Sequence, residues 1–164
     1  MIEKILEDAL FAALAAVGFA AISRPPRRAY LYCALIAAVG HSLRYILMSP
    51  WGAGMHIIGS TLAASFVVGT MAVLFSPVAR TPAETCLFPA LLPMIPGIYA
   101  YKTFAGVALG VLHQQDQAVF DYYMFQFMSN GLMCTGLLLC MVVGATLPIF
   151  IFKKVSFRAT RSVG

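Results

Sequence analysis

Charged side chains are scarce in this chain, and they are missing altogether from long stretches of it. Only 10% of the 164 residues are charged and 61% are hydrophobic, whereas an ordinary soluble domain is roughly 25% charged. The charge-free runs cover residues 9–23, 29–43, 45–79, 85–101, 103–115 and 122–152. A membrane helix needs about 20 mostly apolar residues. These absences exclude a water-soluble monomer and predict a polytopic protein of the lipid bilayer.

Signatures of catalytic and metal sites are also missing. The chain has no GxSxG or HExxH motif, no phosphate-cradling glycine loop and no pair of carboxylates inside an apolar run. The four cysteines show neither CxxC spacing nor histidine at ligand spacing, and we expect them to be small buried hydrophobic residues: Cys33, Cys86, Cys134 and Cys140. We therefore expect no catalytic residue, no metal, no cofactor and no enzyme activity.

The basic residues outnumber the acidic ones by 11 to 6, which gives a net charge of +5. A nucleic-acid site would need these residues clustered on one face, with aromatic residues among them. Here they flank the apolar runs, as cytoplasmic loop ends do in membrane proteins. Membrane topology thus explains the charge, and no nucleic-acid partner is expected.

The apolar runs predict an all-α bundle of five transmembrane helices in a single domain. The predicted spans are residues 5–22, 29–48, 53–75, 86–112 and 120–152. Two basic clusters mark the cytoplasmic side: Arg24, Arg27 and Arg28 in the first loop, and Lys153, Lys154, Arg158 and Arg161 in the tail. Both predict that the N-terminus lies outside and the C-terminus inside. The acidic N-terminus does not resemble a signal peptide, so we expect the first helix to be retained.

The fourth predicted span should be broken. Its 27 residues contain Pro89, Pro93 and Pro96-Gly97, and proline removes a backbone donor from a helix while glycine lets the chain reorient. We predict the helix break at Pro93, Pro96 and Gly97. In secondary transporters, broken helices often form the substrate site, where the amides of a half-helix N-terminus face an anionic group.

Residues at and after this break are candidates for binding a substrate. Gly97, Ile98 and Tyr99 would supply backbone amides, while the Tyr99 and Tyr101 hydroxyls and the Lys102 ammonium would supply side-chain donors. The alternative is an interfacial role, since tyrosine and lysine also gather where the membrane meets water, and Lys102 could extend to a lipid headgroup.

Three further polar residues lie inside predicted spans. His41 and Arg44 are three residues apart and share a face of the second helix. Arg44 is a candidate substrate-binding residue, although it lies about one turn from the outer end and could reach the headgroups instead. His41 is a candidate for proton coupling, because imidazoles change charge near neutral pH; a histidine that simply bonds a neighbouring carbonyl is the alternative. Asn130 is a candidate substrate contact deep in the fifth helix.

Small residues are abundant on the predicted helices, as in the alanine-rich first helix and the Gly106-x-x-x-Gly110 pair. Small residues let membrane helices approach closely. They favour an assembly of more than one chain and leave further oligomerisation open. Packing within the chain is the alternative.

Several segments together resemble a known family. They include Gly40-His41-Ser42-Leu43-Arg44 and, most specifically, Pro93-Met94-Ile95-Pro96-Gly97. Over about residues 10–150 the chain resembles the C-terminal half of the threonine/serine exporter (ThrE) family, and in length the small subunit of its two-part members. The resemblance implies a bacterial inner-membrane exporter of a small carboxylate, namely threonine, serine or a succinate-like dicarboxylate. It also implies a larger YjjP-like membrane subunit as partner.

Three functions remain open at this point. The chain could be a transporting subunit that uses the break in its fourth helix. It could instead be an assembly subunit that stabilises a transporting partner without touching substrate, or a channel built from copies of itself.

Overall fold

The computed structural model describes residues 2–152, and within that range every regular element is a helix and there is no strand. The helices are α1 (Ile2–Ser23), α2 (Arg27–Met48), α3 (Ile57–Ala79), α4 (Ala83–Leu91), a 3-10 turn (Leu92–Met94), α5 (Gly97–Leu112) and α6 (Gln117–Ile151). The predicted all-α fold is confirmed. The basic tail residues Lys153, Lys154, Arg158 and Arg161 lie outside the described residues.

Four helices, α1, α2, α3 and α6, are long and apolar enough to cross a membrane. Ala83–Met94 and α5 form a bent pair that together can make a fifth span. The structure thus confirms a polytopic bundle of about five spans, the fourth of which is broken at Pro96-Gly97. At about 1.5 Å per residue, the 35 residues of α6 extend about 52 Å, well beyond the roughly 30 Å of a hydrocarbon core.

Local chemistry moves two helix starts away from the predicted spans. The fourth span begins at Ala83 rather than at residue 86, because Pro82 occupies the N-cap position and Glu84 lies in the first turn, where a carboxylate complements the helix dipole. The third begins only at Ile57, after Gly54 takes a positive φ of 58° and the His56 ring accepts the Ile58 amide as a cap.

The described chain divides into two compact units. Among the described residues, the first comprises residues 2–94 and 140–152, and the second comprises Ile95–Leu139. In the first unit, α2 packs against α1, α3 and α4. Small residues carry much of this packing: on α1 the buried residues are Ala12, Ala16 and Ala20. A Cβ atom on Gly69 of α3 would overlap the carbonyl oxygen of Ala145 on α6.

In the second unit, α5 packs against the N-terminal part of α6 through glycine. A Cβ on Gly106 would lie 2.9 Å from the amide nitrogen of Phe127, and one on Gly110 would lie 2.6 Å from the terminal methyl of Met124. The Gly106-x-x-x-Gly110 pair therefore serves packing within the chain. This is the intramolecular alternative that its sequence left open.

The cysteines behave only partly as expected. Cys33 and Cys86 are fully buried in the first unit, whereas Cys134 and Cys140 on α6 are half-buried, and all four are free thiols. Cys33 and Cys86 therefore fit the description of small buried hydrophobic residues. Cys134 and Cys140 do not, because one face of the middle turns of α6 is left uncovered within the chain.

Candidate functional site

A cluster of ionisable side chains lies in the first unit where α1 begins and α2 ends. α1 and α2 are joined by a short turn at Arg24–Pro26, so they run antiparallel. This arrangement brings Asp8, near the start of α1, beside His41 and Arg44 in the last two turns of α2. The cluster is half-buried, with 30% of the Asp8 side chain and 16% of the His41 side chain exposed.

His41 is held on both sides of its ring. Its Nδ1 atom lies 2.8 Å from Oδ2 of Asp8, and its Nε2 atom lies 3.1 Å from the backbone carbonyl oxygen of Pro93. Arg44 donates from Nη1 to the Met94 carbonyl oxygen at 3.0 Å, and its Nη2 lies 3.3 Å from Nε2 of His41. Helix α2 thus holds the backbone at the end of the 3-10 turn, while Asp8 of α1 holds the His41 ring.

The two carbonyls are available because the helix stops there. In a continuous helix the carbonyl of Pro93 would accept the amide of Gly97, and that of Met94 the amide of Ile98. The Gly97 amide instead donates to the Ile95 carbonyl at 2.8 Å, and α5 starts afresh at Gly97. Unpaired carbonyls are costly in a membrane. His41 and Arg44 supply the donors that the break removes.

Pro96 makes the break. Its φ of −76° and ψ of 61°, with the bond from the Gly97 amide to the Ile95 carbonyl, define an inverse γ-turn. Gly97 is the first residue of α5, as predicted, but its own amide is already bonded. The next two amides, of Ile98 and Tyr99, belong to the first helical turn, which has no intrahelical acceptors. They are the ones that an anion could use.

The other predicted substrate contacts lie in the second unit. Lys102 is exposed on α5 and lines a small groove of about 130 Å³ with Gly106, Tyr123 and Gln126. Asn130 donates its amide to the backbone carbonyl of Gln126 at 2.7 Å and to the Gln126 side-chain oxygen at 3.2 Å. Gln126 therefore connects Asn130 to the Lys102 groove along one face of α6. Ile98 and Tyr101 point outward, with 71% and 72% of their surface exposed.

The structure thus brings the predicted residues together in two groups. His41 and Arg44 meet the carbonyls of Pro93 and Met94 in the first unit, and Lys102 and Asn130 are linked through Gln126 in the second. Asp8 was missed by the sequence reasoning. Its signal was its position inside the first predicted span, residues 5–22, where an ionisable residue commonly has a function.

The helices and the ionisable cluster packed among them define a multi-pass membrane protein. The sequence model of the family described as "Threonine/Serine exporter, ThrE" matches residues 8–151, a range that holds Asp8, the α2 pair and the break. The chain belongs to this family of membrane transporters, and the resemblance seen in its sequence is confirmed.

One relative is an uncharacterised protein of Haemophilus influenzae, 35% identical over 152 residues. The match covers 92% of this chain but only 48% of that protein, so the chain spans about half the length of the relative. No solved structure matches the chain.

Proposed function

We propose that this chain is one half of a secondary transporter that exports a small carboxylate across the bacterial inner membrane. The observation that carries the proposal is the broken fourth span of a ThrE-family chain, whose freed carbonyls are held by ionisable side chains. Broken helices with this chemistry are the usual location of substrate and ion sites in secondary transporters. Threonine, serine and a succinate-like dicarboxylate are the proposed substrates.

The other half of the transporter would come from a larger YjjP-like subunit. Half of the Haemophilus relative has no counterpart in these 164 residues, and a partner would supply the corresponding helices. An odd number of spans also supports this arrangement, since it places the two ends of a chain on opposite sides of the membrane, as in one half of an inverted repeat.

The start of α5 would bind the substrate carboxylate. The amides of Ile98 and Tyr99 lie at the positive end of the α5 dipole, and Lys102 follows about one turn later with an exposed ammonium. The hydroxyls of Tyr99 and Tyr101 offer further donors. Asn130 would reach the substrate through the face of α6 that it shares with Gln126.

Arg44 would be a further anion ligand in the first unit. Its guanidinium carries five N–H donors, of which the described residues engage one with Met94 and one with His41. The remaining donors can bind a carboxylate. Binding to the backbone of the break accounts for Arg44 within the membrane without extension to a headgroup.

The second candidate function is that of an assembly subunit. The small residues on the helices suggested it, and the structure weakens that reason. Ala12, Ala16 and Ala20 on α1 are already buried inside the chain, and Gly106 and Gly110 pack α5 against α6. These small residues therefore do not form free faces for a partner.

Export from cells tests the proposal. Cells carrying both subunits would be loaded with labelled threonine, serine or succinate, and efflux followed in variants Gly97→Leu and Lys102→Ala. Gly18→Leu is the matched control, since a Cβ at Gly18 or at Gly97 meets nothing within 4 Å. We expect Gly97→Leu to lose export and Lys102→Ala to export more slowly at substrate concentrations below KM, with both variants inserted normally in the membrane and the control unaffected. Export at the control rate by both test variants would contradict the substrate site.

A further inference from the structure

We propose that Asp8 and His41 form the proton-binding site of this exporter, and that a proton and Arg44 compete for the same ring nitrogen of His41. The proposal rests on the proposed function, because it assigns the coupling site of that transporter. It adds Asp8 to the site and gives Arg44 a second task.

The His41 ring faces a hydrogen-bond acceptor at each of its two nitrogens. Nδ1 faces the Asp8 carboxylate at 2.8 Å and Nε2 faces the Pro93 carbonyl at 3.1 Å. Both partners are acceptors, and a neutral imidazole has only one N–H to donate. Only the doubly protonated ring donates to both of them when Asp8 is ionised.

The Arg44 guanidinium faces the same ring nitrogen as the Pro93 carbonyl. Nη2 of Arg44 lies 3.3 Å from the same Nε2, and Arg44 can only donate. That bond forms only when Nε2 carries a lone pair, which is when the ring is neutral with its proton on Nδ1, toward Asp8. The bond from Nε2 to Pro93 and the bond from Arg44 to Nε2 therefore exclude each other.

These two bonds define two states of one cluster. In the neutral state, His41 Nδ1–H donates to Asp8 and Arg44 donates to Nε2. When a proton from water binds the Nε2 lone pair, the new N–H donates to the Pro93 carbonyl, the bond from Arg44 is lost, and the cluster gains one positive charge. Release of that proton to water restores the first state.

The charges around the ring are balanced for such an exchange. On α1 the Asp8 carboxylate attracts a proton to the ring, while Glu7 and Lys4 are exposed. On α2 the Arg44 guanidinium repels it. α3 contains no Asp, Glu, Lys, Arg or His, and the single carboxylate of Ala83–Met94, Glu84, lies in the first turn of α4, nine residues before Pro93. Asp8 and Arg44 are thus the charged groups that face His41 from the elements packed around it.

The change in protonation of His41 alters a hydrogen bond to the backbone at the helix break. The Pro93 carbonyl has a donor only in the protonated state, and it is one of the two carbonyls that precede the turn into α5. An unpaired carbonyl in a membrane favours any rearrangement that finds it a partner. Loss of the proton would therefore loosen the hold of α2 on the break, and this couples proton release to movement of the break.

Reconstituted complex tests the proposal with two assays on the same proteoliposomes. One measures export driven by an imposed pH gradient, and the other measures exchange of labelled for unlabelled substrate without a gradient. We expect Asp8→Asn and His41→Gln to lower gradient-driven export by at least about tenfold, within the range typical of coupling between sites, while exchange stays within about twofold. His113→Gln, which alters a histidine at the exposed C-terminal cap of α5, is the control.

The outcomes separate the two proposals. Gradient-driven export at the control rate in Asp8→Asn and His41→Gln would overturn the proton site. Absence of both export and exchange in the unaltered complex would overturn the proposed function itself. If a variant loses both activities, a second measurement on the unaltered complex decides between the outcomes. Nitrogen NMR would report the protonation of the His41 ring, and the spectrum of His41→Gln would assign its signals. We expect Nε2 to carry a proton at one end of the pH range in which the complex transports and a lone pair at the other; a single form throughout would overturn the proposal.

Discussion

The two groups of polar residues in this protein are built differently. Around the start of the break, Asp8, His41 and Arg44 bond to one another and to two backbone carbonyls. On the α5–α6 hairpin, Lys102 is exposed and makes no hydrogen bond or ion pair with another side chain among residues 2–152. A bonded cluster can store a proton and hold backbone in place, whereas an exposed ammonium beside free amides is available to a ligand. This contrast supports the two proposals, which place proton coupling in the first group and most of the substrate donors in the second, with Arg44 as a further anion ligand.

The largest expected effects are on stability, and both compact units should show them. Each unit has a glycine at a point where two helix backbones meet. In Gly69→Ala the new Cβ would overlap the Ala145 carbonyl, and in Gly106→Ala it would crowd the backbone of Phe127. We expect each to lower the free energy of unfolding by about 1–3 kcal/mol, with Gly69→Ala the larger. Thermal unfolding in detergent measures this, with Gly18→Ala as the control. Equal melting temperatures for all three would show that neither contact is close.

The second effect should separate the regions. Arg44→Leu removes the donor to the Met94 carbonyl and leaves that carbonyl unpaired at the break, which costs about 1–3 kcal/mol for a buried group. Lys102→Leu, the same class of change on the exposed face, should stay within about 0.5 kcal/mol. Unfolding of the two variants in parallel provides the measurement. Equal losses of stability in Arg44→Leu and Lys102→Leu would contradict the distinction between the bonded cluster around Arg44 and the open group around Lys102.

The third effect concerns function at the open group. Lys102→Ala should weaken binding of the carboxylate about tenfold, as expected for loss of one charged hydrogen bond of about 1.5 kcal/mol, and Lys102→Arg should recover part of it. Substrate concentration curves for exchange would show this as a raised KM. A lower maximal rate with an unchanged KM would place Lys102 away from the bound substrate.

The smallest effect is expected at Asn130. Its amide bonds lie within α6, to the backbone and side chain of Gln126, so Asn130→Ala should change the free energy of unfolding by no more than about 0.5 kcal/mol. A direct substrate contact would still raise KM. If neither stability nor KM changes, Asn130 has no place in the substrate site.

Features that depend on local chemistry were readable in the sequence. A proline followed by glycine favours the end of a helix, so the break was predicted at the residue where α5 begins. The shared face of His41 and Arg44 followed from their spacing. The residues that meet this face could not be read in the same way, because Asp8 is 33 positions away and Pro93 is 52. A carboxylate near the chain start looked like part of an acidic end until folding brought it to an imidazole.

The small residues show the same limit, namely that a sequence pattern does not identify the residues it contacts. Gly106 and Gly110 predict close packing with some helix, but spacing on one helix does not say which helix. The partner is α6 of the same chain, because α5 and α6 are joined by a short loop at residues 113–116. The surface of this glycine pair is therefore buried inside the fold, and the case for a partner depends more on the half-length match.

Reconstitution of this chain and the proposed larger subunit, separately and together, tests the central claim most directly. Proteoliposomes would be loaded with labelled threonine, serine or succinate and given a pH gradient. We expect efflux of a carboxylate substrate only when this chain and the proposed larger subunit are both present. Full transport by the partner alone, or gradient-independent flux through this chain alone, would contradict it.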